Sequence, residues 1–178
     1  MPANSQAQAR QRPLRALYRE QPEQAVTAKW ARTSSASVSA GDPFHGEVEI
    51  GRGYGVKMRF GLDGHIGGLH DLPNPGDLLC AAVAACEDGT LRMIAALLGV
   101  TVEELDVEVS GKLDVRGALA VSDDARVGFE LLSCRIRLRA AAGTDPRLLG
   151  RLVAAGDRFC VNLDTLRNGA RVDIAADT

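Results

Sequence analysis

No stretch of this 178-residue sequence stays apolar for long. The longest run, Leu78 to Cys86, has nine residues, and a helix needs about 20 to cross a bilayer; no membrane partner is expected. An excess of one charge is also missing. Twenty-one basic against 23 acidic residues, a formal net charge of -2, leave no field that would gather nucleic acid or anionic lipid. The polar amino terminus has no apolar stretch of the secretory kind, which makes the cytoplasm the expected location. Cysteine is sparse: four residues are too few for a disulfide scaffold, and none form a Cys-x-x-Cys pair. His45, His65 and His70 have no tight ligand spacing to one another or to the cysteines, so no metal is expected.

What is present is enough for one hydrophobic core. At 178 residues and 46% hydrophobic content the chain is too short for two domains of usual size. Residues 1–24 are polar, with Arg10, Arg12, Arg15 and Arg19, and read as an arm holding a helical turn or two. Residues 25–178 read as a single domain. Ala25 to Trp30, Glu47 to Ile50 and Val56 to Phe60 are short runs between glycine-rich breaks, which predicts a meander of two or three strands. Gly61 to Leu72 predicts a loop.

The strongest helix signal follows. Asn74 stands at the N-cap, Pro75 at the first helical position and Asp77 at the third, and Gly99 ends the run. Residues Leu78 to Cys86 are apolar all round, which predicts a central, enclosed helix, and Gly89 suggests close approach of another backbone. Leu105, Val107, Val109, Leu113 and Val115 alternate with polar residues, as do Leu132, Cys134, Ile136 and Leu138; each predicts a half-buried strand. The arginines at 135, 137 and 139 face an acidic row on the neighbouring strand, so cross-strand pairing accounts for them. Asp145 and Pro146 open a helix that ends near Cys160, Val161 to Arg167 form a short helix stopped by Asn168 and Gly169, and Arg171 to Ala175 predict a last strand. The order of elements is that of an α+β fold.

Of the four cysteines, Cys134 alternates with Leu132 and Ile136 and reads as a core residue. Cys80 is six residues from Cys86 on one helix, about 9 Å along the axis, and the two cannot be bridged. Cys86 and Cys160 each stand where an apolar helical run gives way to polar residues. Periodicity leaves both core packing and chemistry open for them.

The stretch PNPGDLLCAAVAACEDGT resembles the signature of the OsmC/Ohr family of redox proteins, and RFCVNLDTL resembles the segment around that family's second cysteine. Together the two cover the chain from about Tyr54 to Ile174. The resemblance implies an OsmC-like fold in an intertwined homodimer, with each site completed by the partner subunit. It implies a Cys-based peroxidase for hydroperoxides, organic ones foremost, in oxidative-stress defence, with no cofactor. Cys86 would attack the peroxide as thiolate to give a sulfenic acid, Cys160 would close a disulfide with it, and an external dithiol would reset the pair. YGVKMRF is similar to the family's strand ending in Arg-Phe, which makes Arg59 the expected activating arginine, with Arg52 as the fallback. The family places a glutamate after the helix-starting proline to anchor that arginine, and this sequence has Gly76 there. Asp77 and Glu87 are the neighbouring carboxylates that stand as possible supporting residues. The missing glutamate also admits an alternative: a catalytically weak redox sensor or small-ligand-binding protein on the same fold.

Overall fold

The computed structural model describes residues 3–176. The chain forms two compact units, one gathering residues 1–14, 82–109 and 134–178, the other 15–81 and 110–133. Among the described residues the elements run α1 (Ala3–Glu20), β1 (Ala31–Thr33), β2 (Gly46–Ile50), β3 (Lys57–Phe60), α2 (Pro75–Leu98), β4 (Val102–Lys112), α3 (Val115–Ala118), β5 (Leu131–Ala140), α4 (Pro146–Phe159) and α5 (Val161–Asn168). This is the α+β order expected.

The second unit, 15–81 with 110–133, carries the sheet β1-β2-β3. Its strands are antiparallel, with Glu47 opposite Arg59, Val48 opposite Met58 and Glu49 opposite Lys57. The bend before β2 is tied by His45, whose Nδ1 lies 2.8 Å from Asp42 Oδ2 and whose Nε2 lies 3.0 Å from Asp71 Oδ2.

Helix α2 begins in this unit, and its start is local chemistry. Asn74 Oδ1 accepts the amides of Gly76 (2.8 Å) and Asp77 (3.1 Å), and Asp77 Oδ2 accepts the amide of Asn74 at 2.9 Å. That reciprocal pair satisfies donors that the first turn would otherwise leave unpaired. At the far end Gly99 adopts φ +73, and the amides of Gly99 and Val100 return to the carbonyls of Ala96 and Ala95. This is a Schellman stop, which needs the left-handed conformation that glycine takes without strain.

In the first unit, the core is Leu91, Ala95, Val100, Leu105 and Leu152, with Ile94, Val107, Ile136, Leu138, Leu148 and Leu149 packed on it. Within the single chain α2 buries one stripe, Val83, Glu87, Leu91 and Ala95, at the four-residue spacing of one helix face. Strands β4 and β5 pair. They run antiparallel, as shown by Ala141 N bonding to Thr101 O at one end and Glu130 N to Lys112 O at the other. Arg135 pairs with Glu108, and Arg139 with Glu103 and Glu104, so the arginine row meets the acidic row as the alternation predicts.

Several elements differ from the sequence reading. The arm expected over 1–24 holds an 18-residue helix instead of a turn or two: Ala, Gln, Arg, Leu and Glu are good helix formers, and their summed propensity outweighs Pro13. Ala25 to Trp30 forms a 3-10 turn ending at Ala25 and then irregular chain, with β1 starting only at Ala31. Strand β4 stops at Lys112 because Asp114 caps a short helix, its side chain accepting the amide of Arg116, which takes Leu113 and Val115 out of the strand. No strand forms over residues 171–175. Val172 and Ile174 are exposed there, and an extended segment becomes a strand only beside an edge that takes its hydrogen bonds. A Cβ at Gly89 would meet nothing within 4 Å, so no backbone of this chain approaches it.

Candidate active site

Cys86 lies half-buried on α2, its carbonyl oxygen accepting the hydroxyl of Thr90 at 2.7 Å. Cys160 is wholly buried in the single-residue break between α4 and α5, with extended backbone at φ -72, ψ 110. Three bonds hold it. Its amide donates to Gly156 O at 3.0 Å, its carbonyl accepts the amide of Asp164 at 3.0 Å, and Asn162 Nδ2 bonds to Ala82 O at 2.8 Å. Ala82 is one turn before Cys86 on α2, so the last bond fastens the Cys160 segment beside the Cys86 turn. The Cys86 thiol is near enough to act on the ionisation of Cys160. Burial foremost, and then the neighbouring Cys86 and Glu87, push the Cys160 thiol up to about 12. Cys160 is a poor nucleophile at neutral pH unless a base takes its proton.

Glu87, the residue after Cys86, is 0% exposed, and neither carboxyl oxygen makes a hydrogen bond of ordinary geometry. The Cys160 thiol is close enough to act on its ionisation, so the two are neighbours without a formed bond. Burial is the main cause that raises the Glu87 carboxyl above its usual value, Asp157 adds to it, and Cys160 and Arg167 oppose it. Arg167 is itself held by Asp157, Nη2 to Oδ1 at 2.6 Å.

The other expected residues lie in the second unit. Arg59 is exposed on β3 opposite Glu47 and shares its face with Lys57. Asp77 is engaged in the cap of α2, and a Cβ at Gly76 would sit 3.0 Å from Asn74 Oδ1 and 3.3 Å from Phe129 Cζ. Cys80 is half-buried, and burial raises its thiol first, with Asp77 adding to the effect.

Cys134, expected in the core, is exposed. Its neighbours on the same strand face, Leu132, Ile136, Leu138 and Ala140, are half-buried, and alternation tells which face a residue takes without telling how fully each position is covered. Sequence reasoning missed Arg167, Asp157 and Gly156. A signal for Arg167 was available, since position 167 is seven residues from Cys160, nearly two helical turns, and so returns to the same side of α5. Among the described residues no group of three His, Cys, Asp or Glu side chains is placed to hold a metal ion, and no helix is long and apolar enough to cross a membrane.

Residues 68–175 match the family model described as OsmC-like protein. No curated protein matches the chain in sequence. Among solved structures, the chain is similar to an OsmC-like protein of unknown function from Vibrio cholerae (TM-score 0.63, 14% identity, 79% of this chain and 94% of that one). It is also similar to an organic hydroperoxide resistance protein from Legionella pneumophila (0.57, 20%, 80% and 90%). A third is an organic hydroperoxide resistance protein from Elizabethkingia anophelis with thiocyanate bound (0.57, 16%, 81% and 91%). At these identities the likeness is one of fold.

Proposed function

Since the chain belongs to the family of OsmC-like proteins, we propose that it is a thiol peroxidase for organic hydroperoxides. Cys86 attacks the peroxide O–O bond as thiolate, the alcohol leaves, and Cys86 becomes a sulfenic acid; Cys160 then closes a disulfide and an external dithiol reopens it. The observation that carries this reading is a wholly buried second thiol in a segment fastened to α2 one turn from Cys86 by the Asn162 to Ala82 bond. Two cysteines held merely by packing need not meet, whereas a resolving pair must. An apolar substrate is favoured by Phe159 and Val161, which flank Cys160 and are 59% and 69% exposed.

The positive charge that holds the thiolate is assigned to Arg59, on the strength of the Tyr54 to Phe60 motif alone. The protein acts as a homodimer, as the resemblance implies, and in the cytoplasm.

A second reading has its own support. Gly76 carries no carboxylate and Asp77 is committed to the helix cap, so an arginine anchored from this turn is missing; a sensor that oxidises once would tolerate that loss. Steady-state consumption of cumene hydroperoxide and hydrogen peroxide with dithiothreitol separates the two. Sustained turnover that prefers the bulky peroxide and disappears in Cys86→Ser supports the peroxidase. Turnover that survives Cys86→Ser ends it, and a single oxidation without turnover favours the sensor.

A further inference from the structure

A carboxyl group with no hydrogen-bond partner and no exposure is expensive to keep, because its charged form loses hydration without compensation. Glu87 is such a group, and the fold makes room for it. A Cβ built at Gly156 would lie 2.5 Å from Glu87 Oε1 and 2.5 Å from Leu91 Cδ2, so the space a side chain would take on α4 is filled by the carboxyl. Cys160 is four residues further along, its amide bonded to Gly156 O at 3.0 Å, which sets both on the side of α4 that Glu87 faces. The titratable groups around the carboxyl are Cys86 on its own helix, Asp157 from α4, Cys160 from the α4–α5 break, Arg167 from α5 and Cys134 from β5. Arg167 is already paired with Asp157. Of the two thiols that the peroxidase cycle deprotonates, Cys160 is the one that acts on the Glu87 carboxyl.

We propose, resting on the peroxidase reading, that Glu87 is the base that takes the Cys160 proton as Cys160 attacks the sulfenic sulfur of Cys86. In that step the S–S bond forms and the Cys86 S–O bond breaks. The proton passes from Cys160 to the Glu87 carboxylate and on to the departing hydroxide, which leaves as water. The Cys160 sulfur is oxidised and the sulfenic sulfur reduced, so no outside oxidant or acid enters. The chemistry needs such a base, since burial foremost, with Cys86 and Glu87 adding, pushes the Cys160 thiol up to about 12. Burial raises the Glu87 carboxyl, which makes it a stronger base and moves it toward the pH at which general bases work best.

The test uses the full chain with Cys80→Ser and Cys134→Ser and an aromatic disulfide, dithionitrobenzoate, in place of peroxide. The first thionitrobenzoate is released when Cys86 is modified and the second when Cys160 closes the disulfide; Cys160→Ser releases only one. In the parent protein the rate of the second release is expected to level off well below the ionisation of the thiol. In Glu87→Gln it is expected to fall about 100-fold at pH 7 and to climb about tenfold per pH unit, with the first release unchanged. An equal second release in Glu87→Gln overturns the proposal. So does a parent profile that climbs without levelling, a result that requires no variant to fold. Dimedone trapping of the Cys86 sulfenic acid after cumene hydroperoxide, in Cys160→Ser, tests the peroxidase reading separately: no adduct removes that reading and leaves the proton transfer measured by thionitrobenzoate standing.

Discussion

Glu87 ties stability to pH at the scale of a single residue. Its folded ionisation is raised above the usual 4.5, first by burial, so the native chain holds the proton more tightly than the unfolded one. The favourable contribution is complete below 4.5 and is lost as pH rises through the folded value. Glu87→Gln removes the charge and keeps the shape. Its stability relative to the parent is expected to increase by about 1–3 kcal/mol between pH 4 and pH 8, read as the difference in urea-unfolding free energy. A mutational effect that is the same at both pH values would show that the carboxyl ionises in the fold as freely as in water. The sequence placed Glu87 as a possible supporting carboxylate beside Cys86, without its burial. Its burial follows from the stripe Val83, Glu87, Leu91 and Ala95, a pattern readable in hindsight but overridden by the usual exposure of glutamate. Cys134 erred in the other direction, since alternation put it on the apolar face where this chain supplies no cover.

At the scale of elements, what was legible is what is held by neighbours in sequence. Both ends of α2 were readable because Asn74, Asp77 and Gly99 act within one turn. Replacing Asn74 by Ala removes the acceptor for two amides and is expected to cost about 1 kcal/mol, seen as a lower urea midpoint with an unchanged m-value. A loss no larger than that of an exposed loop substitution would mean that water replaces the cap. The strand expected over 171–175 was not legible in the same way, because strand formation depends on a distant edge. The helix of the arm was read as only a turn or two because the segment is polar, although its residues carry the helix through Pro13. The Cys160 break lies between these cases: α4 and α5 were both readable, whereas the Asn162 to Ala82 bond that fastens the break to α2 joins residues 80 apart.

For the molecule as a whole, few large apolar side chains are wholly buried, Leu91, Leu152 and Val83 among them, while Met93, Val153 and Leu166 remain exposed. Exposed apolar side chains on three helices are what a covering chain would meet. The proposed homodimer predicts a sedimentation mass of twice 18.8 kDa at micromolar concentration. A species of 18.8 kDa would remove the partner subunit from the proposed site. The fold class and the two cysteine segments could be read from the sequence because they sit in contiguous motifs. The carboxyl between them, and the glycine that admits it, belong to segments some 70 residues apart and emerged only in three dimensions.

That glycine also bears on descent. With Glu87 Oε1 and Leu91 Cδ2 each 2.5 Å from where a Cβ would stand, alanine at 156 has to displace both side chains, and a lineage that shortens residue 87 alone still meets Leu91. The glycine is thus bound to two neighbours at once, and a change at 156 is expected to be tolerated only in company with changes at both 87 and 91.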